Sequence, residues 1–110
     1  MSDATWNILI VDDEKGIHLV TRLALKHKQW RQGTFNLTSA YSAAEAREIL
    51  SSADCPSFEV AIIDVVMESD SAGLELCRHI RSHFPSSLRI ILRTGQPGSA
   101  PEEFVLNEYA

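Results

Sequence analysis

Three short apolar runs stand out along the chain: Ile8-Leu9-Ile10-Val11, Val60-Ala61-Ile62-Ile63 and Leu88-Arg89-Ile90-Ile91-Leu92. Branched side chains without polar alternation predict strands covered on both faces, as central parallel strands are when crossover helices flank them. Phe35-Asn36-Leu37-Thr38-Ser39-Ala40 alternates apolar with polar instead, which predicts a strand at a sheet edge. Between the strands, Ile17, Val20 and Ala24, then Ala43, Ala46 and Leu50, then Cys77, Ile80 and Phe84 recur at spacings of three and four. Each set predicts an apolar stripe on one helix. Ser99-Ala100-Pro101-Glu102 has the form of a capping box with proline in the first turn, which predicts a fourth helix starting there. The alternation implies an α/β domain whose crevice lies at the carboxyl ends of the strands.

Composition narrows the class. At 110 residues with 45% hydrophobic and 23% charged, the chain suits one globular domain, residues 1–110. No stretch approaches the roughly 20 apolar residues of a membrane span, and the amino terminus lacks the pattern of a secretory signal, so a cytoplasmic protein is expected. The net charge of −5 comes without a basic stripe, so nucleic-acid binding through this domain is not expected. Cys55 and Cys77 form neither a Cys-x-x-Cys pair nor a finger spacing and read as buried or idle thiols.

Chemistry concentrates at the strand ends. Asp12, Asp13 and Glu14 follow the first strand and Asp64 ends the third. If those strands are neighbours, several carboxylates converge and repel one another unless a cation neutralises them. Magnesium, which takes oxygen ligands and keeps several waters, suits such a site. The plainer alternative makes Asp12 and Asp13 helix caps and Asp64 a turn residue; it accounts for one acidic cluster but not for its partner on the next apolar strand. Asp64, alone at the tip of a buried strand, is the candidate nucleophile for an aspartyl-phosphate. Thr94, at the end of the next apolar strand, is a candidate donor to a phosphate oxygen, and equally a turn residue before Gly95.

Taken in order, Ile-Leu-Ile-Val-Asp-Asp-Glu at 8–14, Ile-Ile-Asp-Val-Val-Met at 62–67 and Leu-Arg-Thr-Gly at 92–95 resemble the receiver domains of bacterial two-component response regulators. Ala40-Tyr41-Ser42-Ala43-Ala44-Glu45-Ala46 resembles the family's entry into its second helix. The resemblance implies a flavodoxin-like three-layer sandwich with parallel strand order 2-1-3-4-5. It implies that Asp64 accepts phosphate from a phosphohistidine on a sensor histidine kinase or phosphotransfer protein, and that Asp13 binds Mg2+ directly while Asp12 acts through its water shell. The Val66 backbone carbonyl would complete the metal ligands, Thr94 would be the switch hydroxyl, and the signal would pass to an output domain. Such a chain is a phosphoacceptor, not an enzyme acting on a separate substrate.

The sequence departs from the family's pattern in three places. Glu68 stands where the family has proline, and the stretch Glu68 to Ala72 before Gly73 is one residue longer than usual. The family's active-site lysine has no counterpart, since the lysines are Lys15, Lys26 and Lys28. The expectation is a truncated receiver without its fifth strand and last helix, whose fourth strand, left as an uncovered edge, could recruit a second copy of the chain as a homodimer partner.

Of the competing readings, a Mg2+-dependent aspartyl-phosphate phosphatase resembles Asp-x-Asp-x-Thr after the first strand, which Asp12-Asp13-Glu14-Lys15 does not match. A flavodoxin would want a phosphate loop where this chain has acids. A receiver-like interaction module that is not phosphorylated remains open. Leu-Arg-Thr-Gly-Gln-Pro-Gly at 92–98 resembles receivers at the front of regulators with cyclic-dinucleotide phosphodiesterase domains, though the residues themselves do not identify the output. His79 and His83, four apart, could share a metal but read as a solvated helix face. His18 and His27 read as surface or packing residues, and Trp6 and Trp30 as hydrophobic seals.

Overall fold

A computed structural model describes residues 5–65, 72–84, 87–93 and 104–106, the last three by their backbone alone. The elements run β1 (Thr5–Val11), α1 (Lys15–Leu25), β2 (Gln29–Trp30), β3 (Gly33–Ala40), α2 (Ala43–Ser51), β4 (Val60–Asp64), α3 (Ala72–His83), β5 (Arg89–Arg93) and β6 (Phe104–Leu106). The sheet order is β2-β3-β1-β4-β5-β6, with β3, β1, β4 and β5 parallel and the short outer strands antiparallel. This is the flavodoxin-like α/β fold, and its four parallel strands carry the order read from the sequence.

Strand alternation divides the sheet into two faces. Leu9, Val11, Ala61, Ile63, Ile90 and Leu92 point into a core completed by Ala43, Ala46 and Leu50 of α2 and Leu76, Cys77 and Ile80 of α3. Those two stripes fall where the periodicity puts them, and Phe84 packs against the core just beyond α3. Ser42 caps α2: its Oγ accepts from the Glu45 amide at 3.0 Å, satisfying one donor of the first turn, while Glu45 Oε1 reaches back to accept from the Tyr41 amide at 2.6 Å, just ahead of the cap.

The phase of α1 differs from the expected stripe. Val20 is 63% exposed and Ala24 is exposed too. The sheet-facing side carries His18, fully buried, with Ile17, Thr21 and Leu25 half-buried. Hydropathy hid this face because its most buried member is polar, and that ring is held by hydrogen bonds described below.

Two further features were not read from the sequence, the β2–β3 hairpin and the strand at Phe104–Leu106. A two-residue loop, Arg31-Gln32, joins β2 to β3 with φ of 51° and 63°; positive φ at both positions is the hairpin geometry that usually announces itself with Asn-Gly. Beside it Trp6 and Trp30 meet edge to face at 4.8 Å, and the Trp6 indole donates to the Trp30 carbonyl at 2.8 Å, sealing the amino-terminal end of β1. On the other side, Phe104–Leu106 is a strand, not part of a helix; the helix start expected at Ser99 to Glu102 lies outside the described residues. An apolar triplet beside the open backbone of β5 finds hydrogen-bond partners by pairing there, so that edge is covered by the chain itself rather than offered whole to a second copy.

Cys77 gives a pH test of this packing. Burial pushes its thiol up to about 11, against a smaller opposing pull from the Arg81 cation. The unfolded thiol loses its proton from about pH 9 while the folded one keeps it, so the folded state binds more protons and this contribution to stability falls as pH rises from 9 towards 11. The difference in thermal stability between the wild-type protein and Cys77→Ala is expected to narrow over that window. A constant difference in melts at pH 8 and pH 11 would disprove the assignment.

Candidate functional site

The parallel pairing that builds the sheet also gathers the acids. Val11 pairs with Ala40 on one side and Ile63 on the other, so Asp12, just past β1, emerges beside Asp64 at the end of β4. Carboxylate oxygens of Asp12, Asp13 and Asp64 all lie within 4.8 Å of one another. Asp12 and Asp64 are buried, and Asp13 is exposed at the mouth. Three hard oxygen donors converging on one point, two sunk below the surface and one open to solvent, fit a magnesium ion that keeps part of its water shell. Among the described residues this is the group of acids, histidines and cysteines with metal-binding geometry.

Each acid is fixed by the local chain. The amide of Asp12 donates to the Ala40 carbonyl at 3.1 Å. Its side chain accepts from the Glu14 amide through Oδ1 at 2.9 Å and from Arg93 Nη1 through Oδ2 at 3.2 Å. The Asp12 carboxylate thus binds the amide of Glu14, the residue that precedes the first turn of α1, rather than capping a first-turn amide of the helix, and its second oxygen meets Arg93. Asp64 is held from behind: Val65 donates from its amide to the Arg93 carbonyl at 3.0 Å, and the first turn of α3 presses Gly73 against the Asp64 and Val65 backbone.

His18 and Arg93 are the two residues of the site whose places were not foreseen. His18, expected at the surface or in simple packing, lies 2% exposed beneath Asp12. Its Nε2 meets the Asp12 carbonyl at 2.7 Å and its Nδ1 the Ser39 hydroxyl at 2.9 Å. The carbonyl can only accept, so Nε2 donates to it, and the Ser39 hydroxyl, which can donate or accept, partners Nδ1. Arg22 also donates to Ser39 Oγ at 3.0 Å, completing a chain from an exposed guanidinium to the Asp12 backbone. A sequence signal existed for Arg93, since a charge ending a buried strand is as unusual there as Asp64 is on β4.

Val66, Thr94 and Glu68 lie outside the described residues. The other histidine pair does not assemble a metal site: the His79 and His83 rings lie 4.4 Å apart, with His83 Nδ1 donating to the His79 carbonyl at 2.8 Å. Burial first, then the neighbouring His83 and Arg47 charges, pushes the His79 imidazole below its usual range.

Comparison with known proteins shows which family joins a parallel α/β sheet to acids gathered beyond two neighbouring central strands in this way. The sequence matches the response regulator receiver domain over residues 8–106, and the chain belongs to that family. A 3'3'-cGAMP-specific phosphodiesterase 2 from Vibrio cholerae serotype O1 is 41% identical over 109 residues, which make up 98% of this chain and 20% of that protein. The chain thus spans a fifth of the curated relative it matches. Among solved structures, a response regulator receiver protein from Pseudomonas putida superposes with a TM-score of 0.68 at 29% identity, covering 86% of this chain and 72% of that one. RcsB from Salmonella enterica serovar Typhimurium, bound to promoter rprA with the phosphomimetic BeF3-, gives a TM-score of 0.60 at 26% identity, covering 79% and 67%. The chain is therefore a signalling domain of two-component systems. No helix among the described residues is long and apolar enough to cross a membrane.

Proposed function

We propose that this receiver accepts a phosphoryl group on Asp64 from a phosphohistidine of a sensor histidine kinase or phosphotransfer protein in the cytoplasm, and relays that state to an output domain. The observation that carries the reading is the convergence of the Asp12, Asp13 and Asp64 carboxylates at neighbouring strand ends. In the transfer, an Asp64 carboxylate oxygen bonds to phosphorus while the phosphorus–nitrogen bond breaks, and the bonding pair stays on the departing imidazole nitrogen. Asp64 can serve because it is held rigid at a strand end and oriented into the pocket.

Asp12, Asp13, Asp64 and the Val66 backbone carbonyl would hold Mg2+, which when bound supplies positive charge against the phosphoryl oxygens. Thr94 would donate its hydroxyl to one of those oxygens. The Vibrio cholerae 3'3'-cGAMP-specific phosphodiesterase 2, most of which lies outside the matched region, supports a cyclic-dinucleotide phosphodiesterase as the class of output. No catalysis on a separate substrate is assigned to residues 1–110.

Magnesium titration followed by backbone amide NMR shifts tests the site. Both tryptophans sit at the far end of β1, so indole fluorescence is the wrong reporter. Millimolar Mg2+ is expected to shift amides around Asp12, Asp13 and Asp64, and Asp13→Asn to weaken binding by about tenfold or more as one charged oxygen ligand is lost. A folded protein whose amides ignore Mg2+ would overturn the reading.

A further inference from the structure

Arg93 closes β5 on the same sheet face as Asp64, directly beside it in register. Its guanidinium does not turn to solvent; the residue is 8% exposed and Nη1 donates to Asp12 Oδ2 at 3.2 Å. Asp12 lies beyond the end of β1, with β4 between β1 and β5. Adjacent strands stand about 4.8 Å apart, so the arginine side chain reaches across roughly two strand spacings, over the strand that ends in Asp64. A cation is thus built into the acidic pocket from β5, one of the two strands that flank the strand carrying Asp64.

Charge shows what this does. The guanidinium brings one positive charge to a cluster of three carboxylates, offsetting part of the negative charge that would otherwise attract a divalent cation there. A buried Asp12 without a cation near it would be costly, because desolvated charge is tolerated only when paired. Asp12 Oδ1 is already engaged by the Glu14 amide, so a metal or its water shell would draw on the oxygen that Arg93 holds, and the two cations would compete for Asp12. A guanidinium that gives up Asp12 stays tethered beside Asp64, and its planar donors match the oxygens of a phosphoryl group.

We propose, resting on the receiver reading, that Arg93 is the resident counter-cation of the site and a positioning residue for phosphorylation. It holds Asp12 while the pocket is without metal, yields that carboxylate to the divalent cation, and then donates to a phosphoryl oxygen on Asp64. The role differs from that of Thr94, which offers a neutral hydroxyl.

The test compares the wild-type protein with Arg93→Met, which keeps the aliphatic stem and loses the charge and donors. Calorimetric titration with Mg2+ alone reads the competition, and titration with beryllofluoride at saturating Mg2+ reads the phosphoryl contact. Removing the competitor is expected to tighten Mg2+ binding about five- to tenfold, the lower range of coupling between sites, while beryllofluoride binding weakens by about tenfold as a charged donor pair is lost. Unchanged or weaker Mg2+ binding, or unchanged beryllofluoride binding, overturns the proposal. If Arg93→Met does not fold, Arg93→Lys carries the test, since an ammonium keeps the charge without the fork: weakened beryllofluoride binding supports the role and undiminished binding overturns it. A wild-type protein that binds neither probe overturns the receiver reading and this inference together; one that binds both identically to the variant overturns this inference alone.

Discussion

Asp64→Asn is expected to abolish phosphoryl incorporation while leaving the protein folded. An amide nitrogen or oxygen cannot form the acyl phosphate that a carboxylate forms, so the effect is complete loss rather than a reduced rate. Incubation with a small-molecule phosphodonor and Mg2+, followed by intact-mass measurement, should show one alkali-labile phosphoryl group on the wild-type protein and none on the variant. Stability should not suffer, because the substitution removes one of three crowded negative charges and keeps the side-chain volume. Equal labelling of both proteins would place the acceptor elsewhere, with Asp12 and Asp13 the first positions to examine.

The second large effect belongs to a residue without a side chain. A Cβ on Gly73 would sit 2.8 Å from the Val65 carbonyl oxygen, 2.9 Å from the Val65 Cα, and closer still to the Asp64 carbonyl oxygen. All three are backbone atoms at the end of a central strand, so no rotamer change can relieve the overlap, and either α3 must lift or the end of β4 must move. Overpacking ordinarily costs about 1–3 kcal/mol. With backbone on the other side of the contact, Gly73→Ala is expected to cost about 3 kcal/mol or more, a fall in melting temperature of about 10 °C or more in a domain of this size. Because the displaced atoms are those that aim Asp64, the fraction still folded should also label poorly. A melting temperature within a degree or two of wild type would show that α3 rests on the strand less tightly than described.

These expectations rest on parts of the molecule that differ in how plainly the sequence announces them. The central strands are legible because burial on both faces leaves no room for polar alternation, and α2 and α3 because each has one dry face against the sheet. The acid pair and Asp64 are legible because a charge at the end of such a strand has little other reason to be there. The phase of α1 was not, because its buried face is anchored by His18, whose ring is satisfied by a carbonyl and a hydroxyl that only tertiary structure brings near. The strand at Phe104–Leu106 was not legible, because the open edge of β5 that recruits those residues is far away in sequence. Gly73 carries no pattern at all; its importance lies in what stands opposite it.

The two faces of the sheet are unequally covered, and this bears on how the molecule opens. On one side α2 and α3 share a continuous core. On the other, α1 leaves Leu19, Val20 and Leu23 about 60% exposed and borders a groove of 260 Å³ lined by Ile10, Ile17 and Ile62 and reaching Asp12, Asp64 and Arg93. Local opening takes the least buried units first, so amide hydrogens of α1 should exchange well before those of α3. Each such excursion would withdraw His18 from the Asp12 carbonyl, making the lifetime of the acid pocket a property of α1 as much as of the sheet.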